Sequence, residues 1–128
     1  DYIQIATQGN AADFGDLTQA SREGTGTSNS LRGLFASGSG GTDNQIEFVT
    51  IATTGNAVDF GDLTYNAELA GGGASPTRAI FAGGTDSGAK NTIDYVQIMT
   101  LGNAVDFGDR TIAKYGCAVA SNGHGGLG

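Results

Sequence analysis

The chain has 128 residues, about the length of one domain, with 23 glycines and an apolar fraction of 38%. A net charge of −7 with only six basic residues argues against a nucleic-acid or anionic-membrane surface, because both need clustered Lys and Arg. No apolar run is long enough for a transmembrane helix, so we expect no membrane insertion. The single Cys117 is interpreted as a small buried residue, and it leaves the redox compartment open.

One phrase occurs three times along the chain. Its central phenylalanines are Phe14, Phe60 and Phe107, so it recurs after 46 and then 47 residues. A period in this range is typical of tandem-repeat folds. We predict one repeat domain, residues 1–128, made of repeat 1 (1–45), repeat 2 (46–92) and a truncated repeat 3 (93–128). The three copies read DYIQIATQGNAADFGDLT from Asp1, IEFVTIATTGNAVDFGDLT from Ile46 and IDYVQIMTLGNAVDFGDRT from Ile93.

Each phrase predicts a strand and a short hairpin partner. In the stretch from Ile93 to Thr100, apolar side chains fall on both alternating faces, which indicates a strand covered on both sides, as when sheets stack. High β-branched and aromatic content without a 3.6-residue stripe argues against a helix. A Gly-Asn pair then predicts a tight reversal, and the following Gly-Asp predicts a break or bulge in the second strand. The Gly-Asn pairs are Gly9-Asn10, Gly55-Asn56 and Gly102-Asn103, and the Gly-Asp pairs are Gly15-Asp16, Gly61-Asp62 and Gly108-Asp109.

The rest of each repeat predicts two more strands. Residues 25–29, 70–75 and 117–121 carry only small side chains, so another backbone must approach them closely. The third of these segments most resembles an ordinary buried strand. Residues 32–38 and 78–84 each form a short apolar segment closed by small residues.

Polar loops of different length follow, at 39–45 and 85–92, and variable loops at one recurring position suit an outward binding surface. The candidate recognition residues on these loops are Ser39, Thr42, Asp43, Asn44, Thr85, Asp86, Ser87 and Lys90.

Asp-Phe-Gly recurs at Asp13, Asp59 and Asp106. The same triplet binds magnesium in protein kinases, but the lysine strand, glycine loop and catalytic loop that accompany it there are missing from this sequence. We interpret it as a structural turn in which the aspartate accepts backbone N–H bonds. Structural Ca²⁺ on these carboxylates, or on the aspartates at 43 and 86, is the alternative. We expect no other cofactor.

Few other residues point to chemistry. His124 lies in a glycine-rich tail without a nucleophile partner, so we expect no catalytic residue. Arg32 and Arg78 recur before the apolar strand, where they either pair with repeat acids and backbone carbonyls or form a row that binds acidic sugars. A recurring aromatic position either packs between sheets or stacks on sugar rings. It is occupied by Tyr2, Phe48 and Tyr95.

Two resemblances sharpen these expectations. Four short strands per unit is the size of a propeller blade, and Phe-Ala-Gly-Gly at 81–84 resembles the glycine-pair strand of kelch repeats. The strands from Ile93 to Thr100 and from Val105 to Thr111 resemble the kelch strands that follow. No tryptophan follows the tyrosine, and repeat 1 has Ser37-Gly38 in place of the glycine pair. The resemblance implies an all-β fold of tandem four-stranded antiparallel blades, with an open solenoid or two-layer arrangement as the alternative.

The phrase IATTGNAVDFGDLT also resembles repeats in large structural proteins of marine tailed phages, including tail-fibre and other virion-surface proteins. That resemblance implies a non-catalytic virion structural or attachment protein at the virion surface, outside cells. Its partners would be other virion proteins, copies of itself or a host-surface glycan. A secreted or cell-surface glycan-binding propeller of a microbe is the alternative, and an enzyme on a kelch-type propeller is a third hypothesis. Because a propeller typically needs 4 to 8 blades, we expect either a longer chain or several assembled copies.

Overall fold

The computed structural model describes residues 1–36, 38–40 and 44–121, and in these residues the chain forms eight β-strands and no helix. The strands make two four-stranded sheets, each antiparallel with its strands in chain order. The expected all-β fold of tandem four-stranded antiparallel units is therefore confirmed. The first sheet comprises β1 (Thr25–Ser28), β2 (Arg32–Ala36), β3 (Gln45–Thr50) and β4 (Val58–Asp62), and the second comprises β5 (Gly71–Ala74), β6 (Arg78–Ala82), β7 (Thr92–Gln97) and β8 (Val105–Asp109).

The sheets are out of phase with the sequence repeats. Strands β1 and β2 come from repeat 1, and they pair with β3 and β4 from repeat 2. The second sheet likewise joins the end of repeat 2 to the start of repeat 3. Each sheet therefore links two successive copies of the phrase, which ties neighbouring repeats together through backbone hydrogen bonds.

The two sheets stack with their small-residue strands in contact. A Cβ added to Gly72 in β5 would lie 2.9 Å from Thr25 Oγ1 and 3.1 Å from the Gly26 carbonyl oxygen in β1. The prediction of close backbone approach at these strands is therefore confirmed. Between the sheets lies a core in which Leu34 and Phe81 are fully buried.

Strand β3 is covered on both faces at its centre, as the sequence predicts, whereas β7 is buried on the face of Asp94 and Val96 and only half-buried on the other face. The consecutive residues Ile46 and Glu47 are both buried, and their side chains point to opposite faces.

Ile46 pairs with Gly61 but the next residue, Glu47, pairs with Asp59, so Phe60 is the extra residue of a bulge in β4. The same shift at Ile93/Asp94 gives a bulge in β8, and the bulge predicted in the second strand of the hairpin is therefore confirmed.

The reversal after each phrase strand lies before the Gly-Asn pair, so that part of the prediction is wrong. Thr53 N–H donates to the Thr50 carbonyl at 3.2 Å, which closes the turn before Gly55-Asn56. The equivalent bonds, also at 3.2 Å, join Thr7 to Gln4 and Thr100 to Gln97. The Gly-Asn pairs are thereby left available for contacts with another repeat.

The outermost copies are less regular than the sequence predicts. Residues 1–6 form only an isolated bridge, Tyr2 to Ala12, and Ile3 is 61% exposed. Residues 117–121 form no strand, and Cys117 is half-buried rather than buried. The physical reason is the lack of a neighbouring strand, within the described residues, to complete the ladder on either segment.

Candidate functional site: the inter-repeat joints and the loops

The Gly-Asn-Ala segments of repeats 2 and 3 each dock on the Phe-Gly-Asp segment of the preceding repeat. Gly55 N–H donates to the Phe14 carbonyl at 2.7 Å, and Ala57 N–H donates to the Asp16 carbonyl at 2.8 Å. In return, Asp16 N–H donates to Asn56 Oδ1 at 3.0 Å. We call this three-bond contact the turn joint.

The same turn joint recurs one repeat later with the same atoms. Gly102 N–H donates to the Phe60 carbonyl at 2.9 Å and Ala104 N–H to the Asp62 carbonyl at 2.8 Å, while Asp62 N–H donates to Asn103 Oδ1 at 3.1 Å. The recurrence of asparagine is explained by this bond, because its carbonyl oxygen accepts from a neighbouring backbone.

Glycine is required in the middle of the Phe-Gly-Asp segment for two reasons. Gly61 has φ of +146°, a conformation that side chains with a Cβ adopt only under strain. A Cβ there would also lie 2.5 Å from both the carbonyl carbon and oxygen of Gly102. The turn joint therefore depends on direct backbone-to-backbone approach.

A second contact, which we call the acid joint, lies beside each turn joint. Asp94 is fully buried, and its carboxylate accepts from Thr64 N–H at 2.7 Å and from Thr64 Oγ1 at 2.8 Å. Glu47 occupies the equivalent place one repeat earlier and accepts from Thr18 N–H at 2.6 Å. The acid comes from the phrase strand of one repeat and the threonine from the phrase end of the preceding one.

The Asp-Phe-Gly aspartates cap their own turns. Gly15, Gly61 and Gly108 each donate a backbone N–H to the aspartate two residues earlier, at distances from 2.8 to 3.2 Å. This confirms the predicted backbone-capping role. Among the described residues, no group of three or more His, Cys, Asp or Glu side chains gathers in a way that could hold a metal ion.

The recurring aromatic position packs edge-to-face on the phrase phenylalanine in every copy. Ring centroids lie 6.0 Å apart for Phe48 and Phe60, with an interplanar angle of 83°. Phe60 is 3% exposed, whereas Tyr2 is 41% exposed. At the recurring position itself, Phe48 and Tyr95 are both half-buried, and Phe48 packs against the core. The outer pairs are Tyr2 with Phe14 and Tyr95 with Phe107.

The recurring arginines contact aromatic rings and neutral acceptors. Arg32 Cζ lies 4.3 Å from the Phe48 ring centroid, and its Nη1 donates to the Ile98 carbonyl in repeat 3 at 2.9 Å. Arg78 Cζ lies 5.0 Å from the Tyr95 centroid. Of the two partners considered, the backbone carbonyl is confirmed for Arg32. The ion pair present among the described residues joins Lys90 to Asp86 at 3.9 Å.

The loop between β6 and β7 holds most of the candidate recognition residues. Thr85 exchanges backbone hydrogen bonds with Glu68, and Lys90 N–H donates to the Gly84 carbonyl at 2.8 Å. Between these anchors, Ser87 is exposed with φ of +51°, and Asp86 lies beside it. The structure therefore brings Thr85, Asp86, Ser87 and Lys90 together on one anchored loop.

The equivalent loop of the first sheet is described only at its edges. Ser39 exchanges backbone bonds with Arg22, and its hydroxyl accepts from Arg22 Nε at 3.0 Å. The Asn44 carbonyl accepts from Leu63 N–H at 2.7 Å. Thr42 and Asp43 lie outside the described residues, as does His124.

The sequence did not predict a polar cluster that lies at the end of β6. Tyr65 Oη donates to the Gly83 carbonyl at 2.5 Å, and Arg110 Nη1 lies 2.8 Å from Cys117 Sγ. Burial raises the pKa of Tyr65 to about 12, with further upward contributions from Asp94 and Cys117 and a downward one from Arg110. The neutral phenol is therefore the form that holds this loop in place.

The acid joint was not predicted from the sequence either, although the pattern around each acid indicates that it is buried. Glu47 and Asp94 each stand between two apolar residues in a strand predicted to be covered on both faces. A carboxylate there must be buried with a hydrogen-bond donor, because an unsatisfied buried charge is costly. That reasoning identifies the acid, but the partner threonine comes from a distant segment that the pattern does not reveal.

No protein-family model and no curated protein matches this chain.

The described residues contain no helix long and apolar enough to cross a membrane.

Proposed function

We propose that this chain is a non-catalytic structural and attachment component of a virion surface, built as a segment of a kelch-like β-propeller. Its recurring residues hold sheets together, and its variable loops meet a host-surface partner such as a glycan. Other virion proteins or further copies of the chain are its structural partners.

The observation that carries this proposal is that recurring residues and variable residues lie in different parts of the fold. Recurring asparagines and threonines join successive repeats at Asn56, Asn103, Thr18 and Thr64, and the Asp-Phe-Gly aspartates cap their own turns. The loop that differs between repeats instead holds hydroxyl and charged groups outside those joints. A scaffold with displayed loops accounts for both facts, and stacked four-stranded sheets are the building principle of propellers.

The test has two parts, both on purified virus particles. Tryptic peptides of this chain should be found by mass spectrometry in particles banded on a density gradient, and amine-reactive labelling of intact particles should modify Lys90. Lys114, the other lysine, serves as the internal comparison. Finding the chain in a secreted fraction and never in particles would overturn the virion assignment and favour the microbial glycan-binding alternative. Complete protection of Lys90 in particles, with labelling in the free chain, would overturn the outward role of this loop.

A further inference from the structure

The strand connections give the molecule two distinct ends. The candidate recognition loops, at 39–45 and 85–92, connect β2 to β3 and β6 to β7. Because both sheets are antiparallel with their strands in chain order, the connections β1–β2, β3–β4, β5–β6 and β7–β8 lie at the opposite end, which we call the turn end. A partner of the recognition loops therefore meets one end of the molecule, and the turn end is left for a different contact.

Apolar side chains gather at the turn end around the buried amide of Asn29. Its Oδ1 accepts from Leu31 N–H at 2.9 Å, and its Nδ2 donates to the Pro76 carbonyl at 2.9 Å and lies 3.9 Å from Met99 Sδ. Leu101 follows in the same connection as Met99. We call Leu31, Pro76, Met99 and Leu101 the apolar turn patch. Leu31, Met99 and Leu101 are 53%, 50% and 60% exposed, and Pro76 is exposed as well.

Neighbouring repeats leave these positions open to solvent. Leu31 is exposed although the second sheet follows it, and its equivalent Thr77 is exposed although the first sheet precedes it. Ile51, 44% exposed at the same end, is not part of the patch, because its equivalent Ile98 is fully buried where the first sheet precedes it. The other patch residues behave as Leu31 does: Pro76, Met99 and Leu101 have the equivalents Ser30, Ala52 and Thr54, and all six are exposed. A repeat before or after the patch therefore does not cover it.

The apolar character of the patch is specific to this place in the chain. Leu31 stands where the next repeat has Thr77, and Leu101 stands where the other two copies have Gln8 and Thr54. Since these positions face solvent, a large apolar side chain there adds nothing to the core. Exposed apolar side chains that cluster within a polar surrounding mark interaction sites. We therefore expect a partner at the turn end.

Two arginines border the patch and supply positive charge. Arg32 follows Leu31 directly, and exposed Arg78 lies two residues after Pro76. Neither arginine forms a salt bridge with a carboxylate of the described residues. In a chain with a net charge of −7, the turn end thus offers a local cationic rim, which favours a partner that carries carboxylates.

We propose that the apolar turn patch binds a peptide segment with aliphatic side chains next to carboxylates, supplied by a neighbouring protein of the particle. That this neighbour belongs to a virion rests on the proposed function. Leucine, proline and methionine suit an apolar peptide, and the four patch residues include no aromatic ring on which a sugar would stack. An anionic membrane attracts surfaces with clustered Lys and Arg, which the net charge of −7 opposes. The turn end then faces the particle, and the recognition loops face away from it.

The sole methionine of the chain reports directly on the patch. The purified chain is isotope-labelled at the Met99 methyl group and titrated with a short synthetic peptide of alternating leucine and aspartate, or with its counterpart in which lysine replaces aspartate. We expect the acidic peptide to shift the single methyl signal in NMR spectra to saturation, with a dissociation constant at least about tenfold lower than that of the basic peptide. Vesicles of anionic phospholipid should leave the signal unchanged.

A matched pair of variants tests the contribution of the leucines. Leu31→Thr with Leu101→Thr introduces the residue that equivalent positions carry and keeps Met99 as the reporter. It should raise the dissociation constant of the acidic peptide at least about tenfold. Ile112→Thr, at a 61% exposed site beside the recognition loop, is the control and should leave it unchanged. No shift with the acidic peptide, equal binding of both peptides, binding of the vesicles alone, or an unaffected leucine variant overturns the proposal.

Intact particles separate this inference from the proposed function. Hydrogen peroxide oxidises exposed methionine to the sulfoxide, and we expect Met99 to react at least about tenfold more slowly in particles than in the free chain, while Lys90 stays reactive. An equal rate at Met99, in particles that contain the chain with reactive Lys90, overturns this inference and leaves the proposed function intact. A chain that is absent from particles but binds the acidic peptide through the patch overturns the proposed function and leaves peptide binding at the patch standing.

Discussion

Thr64 donates both its backbone N–H and its hydroxyl to the carboxylate of Asp94, which is fully buried between the two sheets. The pair joins the end of the first sheet to the third strand of the second. Hydrogen bonds to a charged group contribute more than those between neutral groups, so this contact should be a principal link between successive repeats.

Replacing Asp94 should therefore destabilise the chain strongly. We expect Asp94→Ala to lower the free energy of unfolding by about 1.5–3 kcal/mol, since two donors lose a charged acceptor. Asp94→Asn keeps one acceptor oxygen and should cost less. Asp106→Ala, which removes a carboxylate that accepts from the Gly108 N–H of its own exposed turn, is the control and should change stability little. Urea unfolding measures all three, and equal stability of Asp94→Ala and the parent chain would contradict the role of the acid joint.

Glycine at the turn joint can be tested with a matched pair of variants. Gly61 and Gly108 have φ of +146° and +137°, so alanine strains the backbone at both positions. Only at Gly61 would the added Cβ meet the described backbone of another repeat, at 2.5 Å. In dilute solution we expect Gly61→Ala to be less stable than Gly108→Ala by about 1–3 kcal/mol, the usual cost of overpacking. Equal unfolding midpoints for the two variants would show that the joint does not require close approach.

Replacing Arg32 by lysine should lower the stability of the chain more than replacing Arg78 does. Its guanidinium lies over Phe48 and also donates to Ile98 in the neighbouring sheet unit, and an ammonium cannot keep both contacts. We expect Arg32→Lys to cost about 1 kcal/mol of stability. Arg78→Lys is the control, because exposed Arg78 lies further from its ring, and its cost should be smaller. The opposite order in thermal unfolding would count against a bridging role for Arg32.

Tyr65 gives the fold a dependence on alkaline pH. Burial raises its pKa to about 12, above the value of 10.0 for a free phenol. The folded state therefore favours the neutral phenol, so its contribution is fully present below pH 10 and is lost as pH rises towards 12. Stability measured between these values should fall less steeply in Tyr65→Phe than in the parent chain. Tyr115→Phe, at a 59% exposed tyrosine, should leave the slope of the parent chain unchanged. Identical slopes in all three would contradict the assignment.

The strands were predictable because each carries a local signal. Apolar residues on both faces, many of them β-branched or aromatic, mark β3 and β7, and runs of small residues mark β1 and β5. The bulge was also predictable, because the Gly-Asp pair interrupts a strand pattern at the same place in each copy.

The pairing of the strands was not predictable from the repeats. A sequence repeat has no natural starting point, so the pattern alone does not reveal that β2 pairs with β3 across a repeat boundary. The role of Asn56 was missed for a similar reason. Gly-Asn is a common turn signal, so the sequence predicts a turn at this pair. It does not indicate that the Asn56 amide oxygen accepts a hydrogen bond from a residue 40 positions away.

Amide hydrogen exchange followed by NMR tests most directly the claim that the turn joint holds successive repeats together. The amides of Gly102 and Ala104 should be protected at every protein concentration. Those of Gly9 and Ala11, which occupy the equivalent positions of repeat 1 and are exposed, should exchange rapidly. Equally rapid exchange at all four sites would contradict the account.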